Sequence, residues 1–189
     1  MRIGLMGGTY NPPHAGHCAI AQTALSMLEL DALWWLVTPQ NPLKKDMNLP
    51  STRTRIQQSK ELLNNPFILV TDIEEKIGSF STYDSVLGFK KHFPMTDFIW
   101  IAGYDNALSF HKWENWQELL HLIPFCFIAR PPAVSLIEKC PLRLDISVNH
   151  KPLTKAFKWP LERGVCYYIL QMHMISLSST QMRESIIYQ

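Results

Sequence analysis

Near its N-terminus the chain reads Gly7-Gly8-Thr9-Tyr10-Asn11-Pro12-Pro13-His14-Ala15-Gly16-His17. A short apolar run at residues 3–6 precedes this stretch and has the length of a buried strand. The residues that follow, 18–28, repeat apolar side chains at helical spacing. The stretch is therefore predicted to be a strand-to-helix turn, which is where open α/β sheets bind their ligands.

The residue types in this turn favour a phosphate ligand. Gly7 and Gly8 let the backbone approach a bulky anion, and Thr9 adds a hydroxyl. His14 and His17, three residues apart at the predicted helix start, can both face the positive end of the helix. The stretch lacks the lysine of a Walker loop and the three spaced glycines of a dinucleotide fingerprint. A phosphate site is favoured over the alternative, an ordinary turn with two solvated histidines.

This stretch resembles the signature of the nucleotidyltransferase superfamily with the His-x-Gly-His motif, here His14 to His17. More narrowly, it is similar to the bacterial nicotinate-nucleotide adenylyltransferases, which have an aromatic residue, then Asp or Asn, then Pro at positions 10–12. Later segments extend the resemblance along nearly the whole chain. The resemblance implies that Gly7, Gly8, Thr9 and both histidines bind ATP, and that Asn11 contacts the mononucleotide substrate.

Length and composition favour an ordinary globular protein. The 189 residues, 47% hydrophobic and 18% charged, are expected to form a single domain over residues 1–189. A net charge of +2 gives no reason to expect a nucleic acid partner. The four cysteines are scattered, as in a reducing cytosol. Without a signal peptide or a membrane-spanning run, we expect a soluble cytoplasmic domain with no membrane partner and possibly a homo-oligomer.

Strands and helices alternate along the rest of the chain. Further strands are predicted at residues 33–38, 67–70, 97–102, 124–129 and 165–170, and further helices at 53–64 and 83–92. Residues 72–78 resemble an edge connection, and the segment 141–159 is too irregular to interpret. The alternation predicts an α/β fold, a Rossmann-like doubly wound parallel sheet of the nucleotidyltransferase type. Arg53 and Arg55 are read as a solvated helix face rather than as anion-steering residues.

The resemblance also implies where the pyridine ring binds. Family members have an aromatic-Thr pair whose backbone amides receive the nicotinate carboxylate. This chain has Thr82 there, with Ser81 at the aromatic position and Tyr83 just after. The alternative, an ordinary threonine N-cap, can hold at the same time because a cap leaves neighbouring amides free. Trp113 stands where the family has the aromatic residue that covers the pyridine ring.

Three other segments carry candidate nucleotide contacts. Residues 103–108 resemble the family's Gly-x-Asp-x-Leu, which assigns Gly103 and Asp105 to the nucleotides. A ribose contact is favoured for Asp105 over a role as a helix cap only. Lys44 lies in an Asn-Pro-Leu-Lys segment that resembles the family's, and a contact with the triphosphate is favoured over an ordinary surface lysine. Arg130, in an Arg-Pro pair, is assigned to substrate phosphate, with a structural salt bridge as an equal alternative.

A second phosphate-binding segment is expected near the C-terminus. Residues 175–183 resemble the family's Ile-Ser-Ser-Thr-x-x-Arg. Hydroxyl residues opening a short helix, with an arginine one turn later, can hold a phosphate at the helix end. On its own, a serine cap with a surface arginine would be the better interpretation. Together with the first motif, the segment is predicted to bind the phosphates of ATP through Ser178, Ser179, Thr180 and Arg183.

These residues can support adenylyl transfer, and the resemblance implies that it runs from ATP to nicotinate mononucleotide, giving deamido-NAD and pyrophosphate in NAD biosynthesis. The mononucleotide phosphate is already an anion, so its in-line attack on the α-phosphate needs no general base. His14, His17, Lys44 and Arg183 are the predicted catalytic residues. Mg²⁺ is expected to arrive with ATP, and no metal-ligating residues are predicted. Two alternatives stay open, a phosphopantetheine adenylyltransferase and a catalytically silent nucleotide-binding protein.

Overall fold

The computed structural model describes residues 1–39, 49–79, 81–129, 140–157 and 160–169. Seven strands lie in these ranges: β1 (Arg2–Gly8), β2 (Ala32–Val37), β3 (Ile68–Thr71), β4 (Asp97–Gly103), β5 (Phe125–Ile128), β6 (Asn149–Leu153) and β7 (Val165–Ile169). The helices are α1 (Ala15–Met27), α2 (Thr52–Leu62), α3 (Ile73–Lys76), α4 (Thr82–His92), α5 (Tyr104–Ala107), α6 (Trp116–Leu122) and α7 (Pro141–Leu144), with a 3₁₀ turn at Phe110–Lys112.

All seven strands form one sheet in the order β3-β2-β1-β4-β5-β7-β6, and every neighbouring pair is parallel. The chain builds outward from β1 in one direction through β2 and β3, then returns to the other side of β1 with β4. The topological switch point therefore lies between the carboxyl ends of β1 and β4, and such sheets bind ligands at this point. The predicted Rossmann-like doubly wound sheet is confirmed.

Helices cover both faces of the sheet, which explains the nearly continuous apolar strands. One hydrophobic cluster includes Trp100 and Phe110 and packs against α4 and α6. The other includes Trp35 and Ile99 and packs against α1 and α2. Within the described ranges, no helix combines the length and apolar character needed to cross a bilayer. All four cysteines are free thiols.

Two segments differ from their sequence-based interpretation. The connection at 72–78 contains a short helix, α3, rather than an extended edge. The uninterpreted segment 141–159 contributes α7 and the edge strand β6. This strand reads Asn149-His150-Lys151-Pro152-Leu153, without alternating apolar residues, because only its last residue is buried. An edge strand pairs on one side only and tolerates a proline, so its sequence carries no strand signal.

Candidate nucleotide-binding site

The turn after β1 brings the two histidines of the first motif together at the start of α1. His14 is the N-cap, and its Nδ1 accepts a hydrogen bond from the Gly16 amide (3.1 Å). The His14 amide in turn donates to Nδ1 of His17 (3.3 Å), which completes a capping box made of two imidazoles. Because Nδ1 is an acceptor in each ring, the ring proton lies on Nε2.

Aromatic contacts hold this pair in place. The rings of His14 and His17 stack with centroids 3.8 Å apart, and the edge of Tyr10 meets His17 at 5.0 Å. Tyr10 stacks on Trp35 of β2 at 4.3 Å, and its hydroxyl donates to the Met6 carbonyl (2.7 Å). His14 is buried and His17 half-buried. Both imidazoles therefore lie together at the N-terminus of α1, where the spacing predicted them.

The two glycines of the motif meet aromatic side chains on opposite faces of β1. A Cβ on Gly7 would lie 2.8 Å from the Trp100 ring, and one on Gly8 would lie 3.0 Å from the Tyr10 ring. Neither distance leaves room for a larger residue without a shift of the ring. Packing against Trp100 therefore favours glycine at position 7, and a larger residue at position 8 would need a small shift of Tyr10. The contact of both glycines with ATP, like that of Thr9, stays a prediction.

The second feature is the N-terminus of α4, where Ser81 and not Thr82 is the N-cap. The Ser81 hydroxyl accepts from the Asp84 amide (3.2 Å) and donates to the Asp84 carboxylate (3.0 Å). Thr82 and Tyr83 are the first two helical residues, and both are half-buried. No described residue accepts a hydrogen bond from either of their amides, as is usual for the first turn of a helix. These two amides are therefore available to an anion.

The buried carboxyl group of Glu74 lies beneath this helix start, and no pattern in the sequence indicates it. Glu74 accepts a hydrogen bond from the Ser85 hydroxyl (2.7 Å), and the hydroxyls of Ser85 and Ser79 lie 2.7 Å apart. The Ser79 hydroxyl also donates to the carbonyl of Ser81 (2.9 Å). Burial raises the pKa of Glu74 above its ordinary value. Hydrogen bonds of Glu74, Ser79 and Ser85 thus connect α3 to the cap of α4, although in sequence these three residues resemble ordinary surface residues.

Trp113 stands on the face of the sheet that α4 covers. Its half-buried ring lies 6.1 Å from Trp100 at 86° and 5.1 Å from Phe110. Because Trp100 also fills the space beside Gly7, aromatic contacts connect Trp113 to the end of β1. Trp116, the first residue of α6, packs against Phe110 with ring centroids 5.9 Å apart and is partly buried against the same hydrophobic cluster.

Gly103 ends β4 and is the N-cap of α5, beside the end of β1. Asp105 is the exposed second residue of α5. The alternative that Asp105 serves only as a helix cap is therefore wrong, because Gly103 occupies that position. A carboxylate at this edge of the sheet suits a ribose hydroxyl, and that contact stays a prediction.

The prediction that Arg55 lies on a solvated helix face is wrong. Arg55 is 1% exposed, whereas Arg53 is exposed as predicted. Its guanidinium contacts the carbonyls of Thr9 and Thr38, at the ends of β1 and β2. The buried positions of α2 are Arg55 and Ser59, so the helix shows no apolar stripe to mark its inner face.

Several predicted site residues lie outside the described ranges. These are Lys44, Arg130, Ser178, Ser179, Thr180 and Arg183. The described chain ends at Ile169, the last residue of β7. Within the described ranges, no group of three or more His, Cys, Asp or Glu side chains could hold a metal ion.

Comparisons with known proteins agree with this geometry. Residues 5–185 match the model of the cytidylyltransferase-like family. A probable nicotinate-nucleotide adenylyltransferase of Cereibacter sphaeroides is 34% identical over 183 residues, which cover 97% of each chain. Its counterpart in Agrobacterium fabrum is 45% identical over 131 residues, covering 69% of this chain and 70% of that one.

Solved structures share the fold. The Plasmodium falciparum nicotinic acid mononucleotide adenylyltransferase complexed with NaAD superposes with a TM-score of 0.71 at 18% identity. The superposition covers 97% of this chain and 82% of that one. The same enzyme complexed with APC gives a TM-score of 0.70 at 17% identity, with the same coverage.

Proposed function

This chain belongs to the nicotinate-nucleotide adenylyltransferases of the cytidylyltransferase-like family, and we propose how its residues carry out the family's reaction. The enzyme joins ATP and nicotinate mononucleotide to form deamido-NAD and pyrophosphate in NAD biosynthesis. One structural observation supports this reaction above all: the pair of imidazoles at the start of α1, beside the switch point of the sheet. A phosphopantetheine substrate and a silent binding protein are both less consistent with relatives that are named for nicotinate nucleotide.

The reaction is a direct in-line displacement. A phosphate oxygen of nicotinate mononucleotide forms a bond to the α-phosphorus of ATP, and the bond from that phosphorus to the β-phosphate oxygen breaks. The electron pair of the broken bond leaves with pyrophosphate, so no covalent enzyme intermediate and no general base are needed. Catalysis then consists of alignment and of stabilising the charge that develops on the transferred and leaving phosphates.

His14 and His17 are suited to that stabilisation. Their Nδ1 atoms accept backbone bonds, so each ring offers its proton from Nε2 to a phosphate oxygen. The capping box and the Tyr10 contact orient the rings before ATP arrives, which is the condition for strong transition-state stabilisation. Lys44 and Arg183 complete the catalytic set, and Gly7, Gly8, Thr9, Gly103, Ser178, Ser179 and Thr180 bind ATP with them.

The mononucleotide binds on the face of the sheet that α4 covers. The amides of Thr82 and Tyr83 receive the nicotinate carboxylate at the positive end of α4, and Trp113 covers the pyridine ring. Asp105 accepts hydrogen bonds from ribose hydroxyls, while Asn11, Lys44 and Arg130 contact the rest of the substrate. The phosphates of both substrates then meet between α1 and the end of β4.

When bound to the phosphates of ATP, Mg²⁺ would lower the charge repulsion between the two phosphorylated substrates. Phosphate and water oxygens are the ligands that Mg²⁺ prefers, so the phosphates of ATP would hold the ion without a cluster of carboxylates from the protein. Residues 1–189 act as one domain in the cytoplasm, with ATP and nicotinate mononucleotide as partners. Neither a nucleic acid nor a membrane takes part, and a homo-oligomer is compatible with this reaction.

The test is a measurement of pyrophosphate release. The purified chain is incubated with ATP, Mg²⁺ and one acceptor: nicotinate mononucleotide, nicotinamide mononucleotide or phosphopantetheine. We expect rapid release with nicotinate mononucleotide and formation of deamido-NAD in equal amount. Release with phosphopantetheine alone would overturn the substrate assignment, and release with none of the acceptors would overturn the enzymatic function.

A further inference from the structure

The Arg55 side chain is buried at the carboxyl edge of the sheet with all of its hydrogen-bond donors in use. A guanidinium has five N–H groups. Here they meet five oxygens: the carbonyls of Thr9 (2.7 Å), Thr38 (2.7 Å), Pro39 (3.0 Å) and Pro50 (3.0 Å) and the hydroxyl of Thr52 (3.2 Å). None of these partners is a carboxylate. The positive charge is therefore solvated by backbone dipoles and is not neutralised by a hydrogen-bonded ion pair.

The five oxygens belong to three separate segments of the chain. Thr9 lies in the turn between β1 and the His14 cap, and Thr38 and Pro39 follow β2. Pro50 and Thr52 lie at the start of α2. One side chain thus fixes the histidine-bearing turn relative to both flanks of residues 40–48, the segment that contains Lys44 in sequence.

The five bonds give Arg55 a structural role, and they also hold a buried charge beside the turn proposed to bind phosphate. Burial of a guanidinium carries a large desolvation cost, which the five hydrogen bonds offset. Burial lowers the pKa of Arg55, which reflects this cost, while the Glu75 carboxylate acts in the opposite direction. A buried charge is useful where a polyanion binds, because a low-dielectric site strengthens its field.

We infer that Arg55 is a positioning residue for adenylyl transfer, which aligns the His14–His17 turn with the end of β2 and the start of α2 and contributes positive potential to the phosphate site. This inference rests on the proposed function. Arg55 acts through the backbone of the turn and is not assigned a contact with substrate. Since a misplacement of catalytic groups by about 1 Å can cost about a hundredfold in rate, loss of the five bonds is expected to lower activity in variants that remain folded.

The test compares Arg55→Lys, Arg55→Met and Arg55→Ala with Arg53→Met as the matched control. Arg53 lies in the same helix and its replacement removes the same charge, but its side chain is exposed. Steady-state pyrophosphate release is measured with ATP and nicotinate mononucleotide varied separately, and thermal unfolding is measured for each variant. We expect kcat/KM for ATP to fall about tenfold in Arg55→Lys and about a hundredfold in Arg55→Met, with KM for nicotinate mononucleotide within twofold of wild type.

Chemical rescue separates positioning from folding. Millimolar ethylguanidinium can refill the space left in Arg55→Ala and restore the planar donors, so kcat/KM for ATP is expected to rise at least fivefold. The same addition should leave wild type and Arg53→Met unchanged. Wild-type kinetics in folded Arg55→Lys and Arg55→Met would overturn the inference. It would also be overturned if kcat/KM fell only in proportion to thermal stability and ethylguanidinium restored no activity. Failure of the proposed function is recognised separately, because wild type itself would then release no pyrophosphate.

Discussion

Replacement of His17 tests the chemistry most directly, because the structure separates its two roles. Nδ1 of His17 accepts the His14 amide (3.3 Å), and Nε2 is the proposed donor to phosphate. His17→Ala removes both, whereas His17→Gln keeps the capping interaction, since glutamine at the third helical position also reaches back to the N-cap amide. The pair of variants therefore distinguishes the helix cap from the phosphate donor.

In His17→Ala, the expected loss of folding stability is smaller than the expected loss of transition-state stabilisation. A single hydrogen bond to a neutral acceptor contributes about 0.5–1.5 kcal/mol to stability, so His17→Ala should remain folded with a modest loss. Removal of one preorganised donor in a phosphate or oxyanion site reduces the rate by about 100- to 1000-fold, which corresponds to about 2.7–4 kcal/mol. Catalysis is thus expected to lose more than folding by roughly 2 kcal/mol.

The assay is pyrophosphate release at varied ATP with saturating nicotinate mononucleotide, accompanied by urea unfolding of each variant. We expect kcat/KM for ATP to fall at least about a hundredfold in His17→Ala. His17→Gln should recover the stability of wild type but not its activity. If both variants are folded and keep kcat/KM within threefold of wild type, His17 does not stabilise the reacting phosphates. If His17→Gln has wild-type activity as well as wild-type stability, the role of His17 is limited to capping the helix.

Three further predictions concern selectivity, ATP binding and pH. The enzyme should prefer nicotinate over nicotinamide mononucleotide about a hundredfold in kcat/KM, since a carboxamide would leave the amides of Thr82 and Tyr83 unpaired at about 1–3 kcal/mol each; equal values for the two substrates would contradict this. Arg183→Lys keeps the charge but loses the planar fork, so KM for ATP should rise more than KM for the mononucleotide, and the reverse pattern would reassign Arg183. Because burial raises the pKa of Glu74, the folded state keeps this proton to a higher pH than the unfolded chain, and stability falls as pH rises above about 4.5. Glu74→Gln should therefore be more favourable relative to wild type at pH 8 than at pH 5 in urea unfolding, and a difference that does not change with pH would show that the carboxyl titrates normally.

The sequence by itself determined the features that depend on neighbouring residues in the chain. Buried parallel strands read as nearly continuous apolar runs, so β1, β2, β4, β5 and β7 were found within a few residues of their bounds. The positions of His14 and His17 predicted their contact because residues three apart face one another at a helix start. The Gly-x-Asp and Thr82 segments were identified by their resemblance to motifs of the family, and they lie at the starts of α5 and α4.

Only the tertiary structure decided the roles that depend on what lies across the fold. Arg53 and Arg55 are indistinguishable in a polar helix, and it is the packing of α2 against the ends of β1 and β2 that buries one and exposes the other. Gly7 and Gly8 lie against the rings of Trp100 and Tyr10, and Trp100 comes from a strand far along the chain. A buried polar group is recognised by its partners, and those partners are distant in sequence, so no local pattern of residues could have predicted it.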